Sequence, residues 1–171
     1  MIIPLTQNKF AIVDDQDYHL VSGFKWSAER SSDGLRYYAV RNDGGKIVRM
    51  HRVIMGFPDG NVDHRDANGL NNSRSNLRVA TTAQNGANNR MPRNNTSGFR
   101  GVSWNKSHGK WQVSIEHQGK RHARCWIDTP EEAARIYDAM ARKLHGEYAR
   151  LNFPLPGEQG VVPSGSGALS F

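Results

Sequence analysis

Cysteine is nearly missing from this chain: Cys125 stands alone among 171 residues. A single thiol excludes an intrachain disulfide, a four-cysteine zinc site and a CxxC redox pair. It agrees with a reducing cytoplasm. Long apolar runs are also missing. No stretch approaches the roughly 20 residues that a membrane-spanning helix needs, and the opening MIIPLTQNKF has no long apolar signal core. The expectation is a cytoplasmic protein with no membrane partner. Hydrophobic residues make up 37% of the chain, which argues against one large core and for two compact modules. The seven histidines are scattered, and none forms an HxxxH pair. Acidic residues are outnumbered by basic ones, 16 to 23, for a net charge of +7. A basic chain of this kind suits a polyanionic partner.

The charge is uneven. Residues 1–85 carry 11 Lys and Arg against 9 Asp and Glu, a net of +2. Residues 86–153 carry 12 against 6, a net of +6, and 154–171 holds only Glu158. The second segment is the stronger candidate for contact with a phosphate backbone.

Local patterns divide the chain further. Residues 10–13, FAIV, read as a short buried strand, and Tyr18, Val21 and Phe24 fall at helical spacing. Residues 37–40 and 46–50 read as paired strands around the NDGG turn at 42–45. Residues 86–97, GANNRMPRNNTS, have a linker's composition. Three β-like runs follow at 99–104, 110–117 and 121–127, separated by NKSHG and QGK, which predicts an antiparallel meander. Thr129, Pro130 and Glu132 form a capped helix start. Ala133, Ile136, Tyr137, Met140 and Leu144 make its apolar stripe, and Gly146 ends it. Residues 154–171 lack periodicity and read as a flexible tail.

The stretch VDHRDANGLNNSRSNLRVATTAQN, residues 62–85, carries the candidate chemistry. Val62-Asp63-His64 can end one strand, Asn68-Gly69 turns the chain, and Leu77-Arg78-Val79 can return as the second strand. Thr81 and Gln84 then form a helix-capping pattern that places Asn85 in the first turns. A neutral imidazole suits the base that deprotonates a water. A carboxylate and an amide oxygen suit a hard divalent cation. Asp63 and His64 face opposite sides of a regular strand, so the strand end is expected to bend for both to reach one phosphate. Asn76 can bond backbone groups of the long turn and hold His64 in position.

This pattern, VDH-x-D-x-N-x-x-NN-x-x-x-NLR-x-x-T-x-x-QN, resembles the HNH endonucleases, in particular the phage and intron homing type. The resemblance implies a ββα-metal nuclease module. Asp63 and Asn85 would bind the metal, Mg²⁺ with Mn²⁺ as a substitute. His64 would be the general base, and Asn76 would hold the loop. The upstream MHRVIMGFP, residues 50–58, also resembles the family and makes His51 a candidate phosphate contact. Arg65, Arg74 and Arg78 are candidates to neutralise phosphates. Val79-Ala80 departs from the family, where an aromatic often follows the arginine.

SGFRGVSW, KWQVSI and IDTPEEAARIYDAMARKLHGEYARLNF, within residues 97–153, resemble the apetala-type, or ethylene-response-factor, DNA-binding domain. That resemblance implies a three-stranded antiparallel sheet packed on one helix, with the open sheet face in the major groove of duplex DNA. Alternation along the middle strand points Lys110, Gln112, Ser114 and Glu116 outward, and Trp111, Val113 and Ile115 inward. Arg100 and Trp104 are expected to share a face, and Arg100 and Arg121 match DNA-contacting arginines of the family. Ala123 stands where the family has a contacting tryptophan. Arg124 stands where a leucine is common.

The expected architecture is therefore α+β. Residues 1–85 form the nuclease module with a small α+β lead-in, 86–97 the linker, 98–153 the DNA-binding domain and 154–171 the tail. The expected DNA contacts are Arg100, Trp104, Lys110, Gln112, Ser114, Arg121 and Arg124. The expected function is metal-dependent endonucleolytic cleavage of duplex DNA by a homing or mobile-element enzyme, in a bacterial or phage-infected cell. One module per chain favours a nicking monomer, whereas dimerisation would give a double-strand break. The alternative is a DNA-binding regulator whose nuclease module is inactive.

Overall fold

The structure, a computed structural model, describes residues 1–32, 34–88, 91 and 94–161, and of Cys125 only the backbone. The fold is α+β, with four small antiparallel sheets and few helices among these residues. It divides into two compact units, Met1–Thr82 and the described residues from Ala83 onward.

In the first unit β1 (Ile2–Pro4) pairs with β2 (Phe10–Ile12), and the alternation turns Ile3 and Ala11 inward. A 3₁₀ turn at Asp15–Asp17 runs into α1 (Tyr18–Val21), a single turn where the spacing predicted a helix reaching Phe24. Then β3 (Ser27–Arg30), β4 (Tyr37–Asp43) and β5 (Lys46–Arg49) form a meander. Its second turn has Gly44 and Gly45 at φ 57 and 86, with the Gly45 amide donating to Asn42 Oδ1 at 2.8 Å. Met50, expected to end the strand, instead opens α2 (Met50–Ile54). Next, β6 (Asn61–His64) pairs antiparallel with β7 (Leu77–Ala80); α3 (Thr82–Ala87) follows, its residues from Ala83 on belonging to the second unit. Ile3, Val13, Val21, Trp26, Met50, Ile54 and Leu77 belong to one buried cluster. That cluster fixes α2 and the β6–β7 hairpin against the same core.

In the second unit β8 (Val102–Asn105), β9 (Lys110–His117) and β10 (Lys120–Ile127) form a sheet in the order β10-β9-β8. Helix α4 (Pro130–His145) packs on it through Ala133, Ala134, Tyr137 and Ala141. Thr129 Oγ1 accepts from the Glu132 amide at 3.2 Å, and Gly146 closes the other end at φ 53. Gly101, at φ 72, is required because a Cβ there would overlap the Tyr137 ring. Buried Asp138 accepts from the Asn152 and Phe153 amides at 2.8 and 2.7 Å, which ties the LNF segment to α4.

Residues 154–161 differ from the expected loose tail. Glu158 pairs with Arg142 through two contacts of 2.8 Å. The Leu151 amide donates to Gln159, and the Val161 amide donates to Leu151, each at 2.9 Å. Composition alone misses such pairings because they depend on partners outside the segment. Residues 162–171 lie outside the described part. Within the expected linker, Asn95 Nδ2 donates to Phe99 O and Ser97 Oγ donates to Val102 O, each at 2.8 Å. Those residues therefore buttress the turn into β8.

Candidate functional site

Asp63 and His64 end β6 with 3% and 5% exposure. The expected bend is not seen in the pairing. The register runs regularly from Asn61↔Ala80 to His64↔Leu77, and the Arg65 amide adds one further bond to Asn76 O at 2.8 Å. Asp63 and His64 thus alternate to opposite sides of a regular strand, and each is buried by its own partners.

Asp63 stands opposite Arg78 in the register, and the two form a buried ion pair. Arg78 Nε and its terminal nitrogen lie 3.0 and 2.9 Å from Asp63 Oδ2. Arg78 is 5% exposed. This corrects the expectation of a phosphate contact, because the guanidinium is turned inward to neutralise a buried carboxylate. Arg74 is likewise committed elsewhere: it grips Asp17 at 2.7 and 2.8 Å and donates to Ile54 O at 3.0 Å. Arg65 remains half-buried beside the loop.

On the other side, His64 Nε2 lies 3.2 Å from Asn72 Oδ1. Asn72 is fully buried and donates through Nδ2 to Leu70 O at 3.2 Å. That donation leaves Oδ1 as the acceptor facing the imidazole. With Asn72 Oδ1 as the acceptor, His64 donates from Nε2. Two more aromatic groups close the environment. The His51 ring stands edge-on to His64 at 4.9 Å, and Tyr38 lies 5.8 Å from His51 and 5.9 Å from His64.

These surroundings keep both imidazoles neutral. Burial pushes His51 down to about 3, and His64, Arg49 and Arg52 act in the same direction. Burial also lowers His64, opposed by the Asn72 hydrogen bond and by the Asp66 and Asp63 carboxylates. His51 is 6% exposed, and its Nδ1 is buried without a hydrogen-bond partner. An orphaned buried nitrogen of this kind is costly and calls for a functional explanation.

The loop between β6 and β7 is cross-tied by buried Asn76. Its Nδ2 donates to Asp66 Oδ1 at 3.0 Å and to Asn71 O at 2.7 Å, while its Oδ1 accepts from the Asp66 amide at 3.0 Å. Asp66 Oδ2 also accepts from Asn71 Nδ2 at 2.9 Å. A Cβ on Gly69 would overlap the Tyr37 carbonyl and the Tyr38 ring, so this glycine lets the loop lie against β4. Asn85 is half-buried on α3 and belongs to the second unit. Among the described residues no three His, Cys, Asp or Glu side chains gather into a metal-holding group. No helix among them is long and apolar enough to cross a membrane.

The second unit sorts its expected DNA contacts by register. Ser103 pairs with Gln112, Ser114 with Ala123 and Glu116 with Arg121, which places Gln112, Ser114 and Arg121 on one row with Lys110. Gln112 Nε2 donates to Ser103 Oγ at 3.0 Å, and Lys110 pairs with Asp128. Two expectations are corrected. Trp104 pairs with Trp111 on the row of Val102 and Val113, the helix side. Arg124 pairs with Val113, so it also belongs to that row while remaining exposed at the sheet edge. Arg100 precedes β8. Its Nε donates to the Tyr137 hydroxyl at 2.9 Å and its terminal nitrogen to Ala87 O at 3.1 Å. It does not share a strand face with Trp104.

The chain is 37% identical over 150 residues to an uncharacterized HNH endonuclease of Acanthamoeba polyphaga mimivirus, spanning 84% of this chain and 74% of that protein. This chain belongs to the HNH endonuclease family. It is also 40% identical over 89 residues to Protein 3.8 of Escherichia phage T7, covering 52% of this chain and 73% of the relative. The C-terminal region of this HNH-family chain matches plant DNA-binding proteins. One is an ethylene-responsive transcription factor of Arabidopsis thaliana, 46% identical over 66 residues, which are 36% of this chain and 35% of that protein. No family model matches the chain. No solved structure matches it.

Three features around Asp63 and His64 escaped the reading of sequence. Asn72 was visible in the Asn71-Asn72 pair, but nothing local distinguished it from a turn residue. Tyr38 comes from β4, 26 positions before His64, so only the fold brings the two together. The inward role of Arg78 follows from its register with Asp63, and a hairpin alignment of the two strands was the one signal that could have revealed it.

Proposed function

We propose that this HNH-family chain hydrolyses phosphodiester bonds in duplex DNA with the help of a divalent cation. In this reading residues 1–85 form a ββα-metal nuclease module that cuts, and residues 98–153 anchor the enzyme on its target. The observation that carries the reading is His64: a buried imidazole at the end of β6, held 3.2 Å from Asn72 Oδ1 and edge-on to His51.

His64 takes the proton from the attacking water. Burial confines that water to the site. Asn72 and the edge-on His51 hold the ring still, so the lone pair is oriented before substrate arrives. Asn76 keeps the β6–β7 loop closed around the end of the strand. His51, neutral and with Nδ1 lacking a partner, is suited to donate to a phosphate oxygen, and Arg65 is a second candidate for that contact. Arg78 holds Asp63.

The family resemblance would assign a hard cation the oxygen donors of Asp63 and Asn85. A bound Mg²⁺, or Mn²⁺ in its place, supplies charge stabilisation at the phosphate and the leaving 3′ oxygen. The products carry 5′-phosphate and 3′-hydroxyl ends. One nuclease module per chain suits a nick by a monomer, and a homing or mobile-element enzyme uses such a cut. The reading is tested by plasmid nicking with purified protein and Mg²⁺, with and without EDTA, beside a DNA-binding shift. Metal-dependent nicking is expected. Binding without metal-dependent cutting would identify a DNA-binding regulator with an inactive nuclease module.

A further inference from the structure

We propose that Trp126 is the aromatic contact between the second unit and DNA, its ring laid against the sugar-phosphate edge of the duplex. The inference rests on the reading above that this unit binds DNA.

Strand β10 does not pair evenly with β9. Between the pairs Arg124↔Val113 and Ile127↔Trp111, β10 advances three residues while β9 advances two. One extra residue on one strand is a β-bulge, a device that turns a side chain out of its regular row. Within it Trp126 has φ 69. A bulky side chain is an outlier in the left-handed region and persists there only where the surroundings impose it.

The ring does not recover that cost in the core. Trp126 is 55% exposed, whereas Trp26 is 4% exposed and Trp111 packs against the cluster under α4. The ring recorded against Trp126 is His108, from the β8–β9 turn, with centroids 3.9 Å apart. A strained backbone thus holds a large apolar ring in solvent beside an imidazole.

The neighbourhood narrows the partner. Lys106 lies in the same turn as His108, and Arg121 lies farther along β10 on the polar row with Gln112 and Ser114. The nearest carboxylate in sequence, Asp128, is paired with Lys110. An exposed apolar ring on a strand whose polar row carries Arg121, Gln112 and Ser114 matches a surface that offers apolar sugar and base faces between phosphates. It does not match a greasy protein interface, which would continue as an apolar patch.

The test separates binding from folding. Asn tolerates the left-handed region far better than Trp, so Trp126→Asn relieves the strain while removing the ring. Affinity is read by fluorescence anisotropy on a labelled random-sequence duplex in EDTA, and stability by thermal melting. Expected for Trp126→Asn is an affinity loss on the order of tenfold, with a melting temperature equal to or above wild type. Trp126→Phe should keep most of the affinity and lose the DNA-dependent quenching of tryptophan emission. A Trp126→Asn protein that binds as tightly as wild type would overturn the proposal. So would a drop in its melting temperature, which marks a packing role, or a change in oligomeric state without a change in DNA affinity. If wild type itself fails to bind duplex DNA, the underlying reading falls first. If wild type binds and Trp126→Asn binds equally, only the Trp126 assignment falls.

Discussion

Lowering the pH should destabilise this protein through His51. The ring is buried, and its pKa is pushed from the ordinary 6.5 to about 3. In the unfolded chain it takes up a proton below about 6.5. Between those values the unfolded state binds more protons than the native state, so stability falls as pH falls. The sign is that of a depressed imidazole: the contribution is complete above 6.5 and is lost progressively toward 3. Each pH unit inside the window costs about 1.4 kcal/mol, so moving from about pH 7.5 to about pH 5 should cost roughly 2 kcal/mol from His51 alone. Urea unfolding at a series of pH values measures this for wild type and His51→Gln. The variant will differ in absolute stability, so the comparison is of slopes. Wild type should lose roughly 2 kcal/mol more than the variant over that interval. Parallel slopes would refute the argument, because they would mean that the native state protonates His51 as readily as the unfolded chain does.

Two further outcomes follow from the partners of the site. Arg78→Met breaks the buried pair with Asp63, which should cost about 3–5 kcal/mol in urea unfolding; restoring neutrality with Asp63→Asn in the same chain should recover much of that loss. Asn72→Ala removes the hydrogen-bond partner of His64 Nε2, so the cleavage rate should fall on the order of tenfold or more, a general-base loss, while KM for DNA changes little.

The second unit was largely legible because its signals are local. Thr129, Pro130, Glu132 and Gly146 mark a helix by chemistry within a few residues, and the helix runs from Pro130 to His145. Arg100 shows the limit. The run from Phe99 reads as one strand, but Gly101 requires a left-handed turn under Tyr137, so the strand begins at Val102 and Arg100 falls outside it. The β10 bulge was equally invisible, because nothing in RHARCWI announces an extra residue. In the first unit β1 and β3 escaped notice. Each is three or four residues long with one buried side chain turned to the core, too short for alternation to register. At the candidate site, Asp63 and His64 could be read from one strand end. Their opposite environments could not, since Arg78, Asn72, Tyr38 and His51 arrive from β7, the loop, β4 and α2.

The central claim is that His64 is the base of a metal-dependent cut. Plasmid nicking in Mg²⁺ by wild type and His64→Ala side by side, with EDTA controls and a binding shift on both proteins, tests it most directly. Metal-dependent nicking by wild type, and none by a His64→Ala protein that still binds the DNA, is the predicted result. Equal nicking by the two proteins would contradict the account.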